Sequence, residues 1–333
     1  MEKWEKSLYA YIAAHVTDGA LPEDFSLPDS NEGEGLRFAD GAIDGMFIFH
    51  MAHEGISEEA RPLMDEAIRA MCAGETRLTD ELLTELGQKA RAIAIIDDFQ
   101  QAILERKDEI DPDVLYRYAV HAVLESTDRE CVKFGLCVLE LVTSDDEVLR
   151  DVIRTLALSD EFTIFALFVI RASWENANEE IFRIAQKVSG WGRIHAVERL
   201  SPATPEIRDW LLREGVHNRV LPAYSADLCW GNSGAQALLD SEDLSYEDFV
   251  CIRDILEGLL DEGPCPGISL FENGEDIVRA FLQKADAMPL TQADTPILDD
   301  IFTKYEGEND EIAQMADKLR QKMESGASGI TEE

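Results

Sequence analysis

"CVKFGLCVLEL" (131–141) and "FTIFALFVIRA" (162–172) decide the fold class. Set 31 positions apart, they place Phe134 on Phe165, Gly135 on Ala166, Leu136 on Leu167, Val138 on Val169 and Leu139 on Ile170. Between and after them come "DEVLRDVIRTLAL", "NEEIFRIAQKV" and "PEIRDWLLREG", each opening with acid and carrying an amphipathic stripe at helical spacing. "FTIFALFVI" (162–170) is apolar all round, as suits a helix covered on several sides, and it is too short to span a bilayer. The next helix of the series begins at Trp191, about one further step along. Helix pairs recurring at this period predict stacked units, each burying its neighbour's apolar face.

Helix punctuation recurs outward from these segments. Thr127 with Glu130 and Ser144 with Glu147 fit the capping box, in which a hydroxyl and a carboxylate satisfy each other's orphan amides. Ser57 and Ser245 are simpler N-cap candidates. "ATPEIRDWLLREG" offers Thr204 as N-cap, Pro205 at the first helical position and Gly215 as the stop. No Asn-Gly hairpin signal and no long alternating run appears, so the chain is expected to be all-α.

Over residues 127–230 this pattern resembles HEAT and armadillo-like repeats. The resemblance implies an α-solenoid of stacked antiparallel helix pairs, right-handed, and carries no single function. "GWGRIHAVERL" (190–200), followed by "TPEIRDWLLREG" and "NRVLPAYSADLCW", also resembles a family of uncharacterised bacterial proteins often labelled limonene hydroxylase. Among HEAT-like enzymes, the deoxyhypusine hydroxylases hold two irons with His-Glu dipeptides on several repeats. This chain has one such dipeptide, His53-Glu54, outside the clear repeats.

The expected organisation is an N-terminal helix and acidic loop over 1–41, a helical region over 42–126, the repeats over 127–230, a C-terminal helical region over 231–323, and a disordered tail over 324–333. Within these, 42–54, 57–73, 79–107, 245–262, 270–286, 293–304 and 308–323 read as helices. The loop 21–41 is rich in Pro, Gly and acid, and long enough to fold over a face.

Thirty basic against 68 acidic residues leave a net charge of −38. A field of that sign repels phosphate backbones, so nucleic acid and anionic membranes are poor partners, and HEAT-like DNA glycosylases with basic concave faces do not fit. The six cysteines form no CxxC pair and read as buried free thiols. "MEKWEKSLYAYIAAHV" lacks the apolar core of a signal peptide, so a cytoplasmic location is expected.

Two groups of residues could carry chemistry. His50, His53 and Glu54 in "FHMAHEG" are three and four apart, the helical spacing that lets side chains share a metal. The motif is neither HExxH nor HxxEH, so the expectation is no metal and no cofactor. Asp97 and Asp98 diverge by about 100° around a helix and read as a solvated edge.

The second group is the 190–200 stretch itself. Trp191, Ile194, Val197 and Leu200 form one packing arc, and Glu198 falls inside it. A carboxylate in a packing face is costly unless paired, so Glu198 is expected to be largely buried and bonded to Arg193, His195 or a residue of another helix. Arg199, Asp209, Arg213, Asn218 and Tyr224 supply further polar groups. The favoured reading is a non-enzymatic scaffold that binds a protein or peptide, neutral or basic, on a helical-repeat surface. The alternative is an enzyme or small-ligand binder centred on Trp191, Arg193, His195, Glu198, Arg199, Arg213, Asn218 and Tyr224.

Overall fold

The computed structural model describes residues 6–28, 38–51, 55–142, 146–263 and 265–327, residues 326 and 327 as backbone only. Among the described residues the chain is all-α: eighteen α-helices, two short 3-10 turns and no strand beyond a single Thr17–Ala20 bridge. It divides into two compact units, Met1–Leu200 and Ser201–Glu333, so the boundary falls inside the 127–230 stretch.

The first unit opens with α1 (Leu8–His15), α2 (Ala42–His50), α3 (Arg61–Cys72), α4 (Thr76–Lys89), α5 (Ala92–Leu104) and α6 (Pro112–Glu125). It continues through α7 (Arg129–Leu141), α8 (Glu147–Leu156), α9 (Thr163–Ser173), α10 (Ala177–Ala185) and α11 (Trp191–Arg199). α3 packs along α4 and α6 along α7, as short connections between antiparallel helices require. α7, α9 and α11 lie side by side in a row, with α10 against both α9 and α11 and α8 against α9. The two segments that matched in sequence are therefore neighbours. Every residue from Glu130 to Leu139 is buried, and Ile164 to Leu167 are buried beside them.

The caps answer the sequence reading one by one. Thr204 accepts the amide of Ile207 with Pro205 following it, and Ser245 accepts the amide of Asp248. Ser57 caps the turn before α3, through the amide of Ala60, and not the helix itself. At α7 the N-cap is Asp128, whose carboxylate takes the amide of Cys131, so Thr127 and Glu130 form no capping box. Asp146 plays the same part for α8, and Ser144 lies outside the described residues. Aspartate and serine cap equally well, and the choice fell to the residue next to the first turn. Residues 79–107 are two helices and not one. Ala90 is extended, and Glu130 takes the Ala92 amide at 2.7 Å to start α5, a partner 38 residues away.

The second unit holds α12 (Pro205–Arg213), α13 (Ala223–Ser233), α14 (Ala235–Leu239), α15 (Tyr246–Leu260), α16 (Gly274–Ala287), α17 (Thr295–Tyr305) and α18 (Asp310–Ala327). α15 packs on α12, α13 and α17, and α18 packs on α16 and α17. Phe249 and Phe281 stack at 4.9 Å in its core. Gly215 is not a left-handed stop, since it is absent from the positive-φ glycines. It is needed because a Cβ there would sit 2.7 Å from Cys229 Sγ. Residues 324–327, expected in the tail, continue α18.

All six cysteines are free, and Cys131, Cys137, Cys229 and Cys265 are buried. Among the described residues, no helix is long and apolar enough to cross a membrane.

Candidate functional site

In the 190–200 stretch, Trp191, Ile194, Val197 and Leu200 are all buried, as the packing arc requires. Glu198 is not. Its side chain is 35% exposed, and the buried titratable group of the stretch is His195, at 1%. α2 explains the exchange: Phe49 stacks on His195 and lies tilted against Trp191, and so covers the first turns of α11, and Glu198 lies beyond that cover. Neither ring nitrogen of His195 has a hydrogen-bond partner, and burial holds its pKa below the usual value. Partial burial pushes the Glu198 carboxyl up, but His195 and Arg199 together bring it down to about 2. Arg199, at 2.5 Å, is the stronger, because His195 Nδ1 stands 3.7 Å from the carboxylate, beyond hydrogen-bond reach. Arg199 also lies over the Phe168 ring, and Arg193 donates to the Val188 carbonyl. Glu198→Ala should therefore cost less than about 1 kcal/mol, the range of exposed pairs, when thermal melts of the two proteins are compared.

The costly charges are elsewhere. Lys133, in the middle of α7, is 0% exposed and stands 2.6 Å from Glu161, 2.7 Å from Asp44 and 3.0 Å from Glu130. Arg129 bridges Glu161 and Asp40, and Arg91 reaches Glu130 at 3.3 Å. The same carboxylates hold backbone: Glu161 takes the Gly41 amide, Glu130 that of Ala92 and Asp40 that of Leu27. The network thus ties α2 and both flanks of the 21–41 loop to α5, α7 and the start of α9.

Four carboxylates meet three cations in this network, and Asp44 carries the excess. Its Oδ2 contacts Lys133 off the line of a hydrogen bond, and Oδ1 has no donor. Burial, opposed by Lys133 and helped by Glu161 and Glu130, pushes its carboxyl up to about 6. A carboxyl raised above its unfolded value contributes stability below that value and loses it as pH rises through about 6. Asp44→Asn should accordingly be more stable than wild type at about pH 7.5, by up to about 3 kcal/mol, with the advantage shrinking in acid. Urea unfolding at the two pH values checks it.

The other predicted residues lie in the second unit. Arg213 binds Asp209, Glu247 and Asp248 at 2.9–3.1 Å, joining α12 to α15. Asn218 accepts the amides of Val220 and Leu221 and donates to the carbonyls of Val216 and Leu221, which shapes the loop before α13. Tyr224 is half-buried on α13. The Arg213 and Asn218 contacts within the unit are those of a structural brace. Beside them, α13, α15 and α17 enclose a cleft of about 690 Å3. Val216, Leu221, Pro222 and Ala223 form its apolar side. Asp254, Glu257, Asp261 and Asp300 make its polar lining mostly acidic, with His217 beside Asp254 and Lys304, which is paired with Glu262, also on the wall. Burial and the charges of Asp254 and Asp300 push Glu257 up; burial and the charges of Asp299 and Asp261 push Asp300 up.

Of the residues weighed for metal, His50 is exposed at the end of α2, and His53 and Glu54 lie outside the described residues. Among the described residues, no group of three His, Cys, Asp or Glu could hold a metal ion. Asp97 is exposed, whereas Asp98 anchors the Ile56 amide and Arg61. Sequence reasoning missed Lys133, although one signal was present: in the 31-residue alignment it stands opposite Ile164 inside an apolar run. Compared with known proteins, the chain matches no family model, no curated protein and no solved structure.

Proposed function

We propose that the protein is a non-enzymatic, cytoplasmic interaction module of stacked HEAT-like helix pairs, and that it takes a basic segment of a partner protein in the cleft of the second unit. The row of α7, α9 and α11, with α8 and α10 connecting them, supports the stacked-pair reading. The observation that carries the function is the cleft wall itself. Glu257 and Asp300 hold their protons more tightly because burial disfavours their charge and neighbouring carboxylates repel it. A lysine or arginine entering between them relieves that repulsion, and the strip from Val216 to Ala223 accepts the apolar stem or an apolar neighbour.

Labelled peptides alternating Lys and Leu should bind, and their Glu-Leu counterparts should not, by fluorescence anisotropy. Binding should weaken with salt, and with acid as Glu257 and Asp300 take up protons. Because their pKa values are raised, this loss begins at a higher pH than it would for free carboxylates, and peptide binding there should release protons. Equal binding of both peptides, or affinity indifferent to salt, would end the reading.

A further inference from the structure

The first unit has a cleft of the opposite character. It measures about 910 Å3, within the range of small-molecule sites, and lies among the ends of α2, α4, α5 and α7. Three cations line it, Lys89, Arg91 and Arg129, against two carboxylates, Asp128 and Glu130. Over the whole chain the ratio is reversed, 30 basic to 68 acidic. Both carboxylates are also spent inward, as is Arg129, which bridges Asp40 and Glu161, leaving Lys89 and Arg91 as the cations of the cleft. Asp128 caps α7, and Glu130 takes the Ala92 amide, Lys133 and Arg91. The cations face the other way in part: Arg91 is 37% and Lys89 49% exposed on the side chain. A guanidinium has five N–H donors, and the 3.3 Å contact to Glu130 uses one of Arg91's. Phe47, Met51 and Ile95 supply an apolar lining, and Met51 is 51% exposed, an apolar surface left for something to cover.

We infer that this cleft binds a small organic acid with an apolar body, its anionic group held by Arg91 and Lys89 and its apolar part lying against Phe47 and Met51. In a chain of net charge −38, which repels anions over most of its surface, this lining gives an anionic ligand a favourable place. Arginine suits the role because its planar fork meets a carboxylate through two parallel bonds. The buried Lys133 network beneath fixes the cleft floor, since Glu130 belongs to both.

Isothermal titration with 4-phenylbutyrate and its neutral amide tests the assignment on the full chain. The acid should bind wild type and the amide should not. Arg91→Gln should weaken the acid about tenfold and Lys89→Gln by a smaller factor. Lys89 pairs with exposed Glu85 on the surface, so Lys89→Gln keeps its fold, and a melting curve shows whether Arg91→Gln does. Neutralising Glu257 and Asp300 in the second unit should leave the acid's affinity unchanged, which separates this site from the proposed peptide cleft. No binding up to about 10 mM, equal binding of acid and amide, or unaltered affinity in both variants would overturn the inference.

Discussion

Lys133→Met should be the most damaging single substitution in the chain, lowering stability by about 3–5 kcal/mol or preventing folding outright. The volume change is small, so the cost is electrostatic. Methionine fills the space and leaves Asp44, Glu130 and Glu161 buried together without the ammonium all three contact. Glu161 feels the loss most, because Lys133 and Arg129 hold its carboxyl low against the push of burial. Removing one of the stranded charges should recover part of the loss, so Lys133→Met with Asp44→Asn is expected to be more stable than Lys133→Met alone. Urea midpoints of the three proteins decide the matter. A Lys133→Met protein as stable as wild type would mean that the four charges do not hold α2 in place.

Gly45→Ala should rank next. A Cβ at this position would lie 2.1 Å from Cε3 of Trp191, far inside contact distance, and Trp191 is itself 5% exposed, stacked on His195 and packed at a tilt against Phe49. The ring cannot swing away without opening the core, so one methyl group should cost about 3 kcal/mol, at the upper end of overpacking. Trp191→Ala fails for the converse reason, leaving a cavity worth about 3–5 kcal/mol. The two sites are in contact, so their effects should not add. Gly45→Ala combined with Trp191→Leu should be more stable than Gly45→Ala alone. If the pair is strictly additive, α2 does not pack on α11 through this glycine.

These two positions show where the sequence was readable and where it was not. The all-α class rested on local signals, namely caps such as Thr204 and Ser245 and the shared apolar spacing of 131–141 and 162–172, and local signals survive without knowledge of the tertiary structure. The burial of Trp191, Ile194 and Val197 followed from helical periodicity in the same way. Glu198 did not, because a helical wheel says which residues share a face and not how far along the helix the cover extends. The break at Ala90 depends on a carboxylate from α7, and the Lys133 network joins residues from 44 to 161. Pairings across such separations leave one trace in a single sequence, a charged residue in an apolar run, and Lys133 in "CVKFGLC" is that trace. The acidic cleft was foreshadowed only by the total charge, which gives the sign of a partner and not its place.

The proposed function rests on that cleft, and one titration tests it most directly: a labelled Lys-Leu peptide against wild type and against Glu257→Gln/Asp300→Asn, at low salt and neutral pH. Both side chains are exposed, so the double variant should melt as wild type does. The affinity of the double variant should fall about tenfold or more, toward that of wild type in high salt. An unchanged affinity, with the fold intact, would contradict it and place the basic partner elsewhere on this acidic chain.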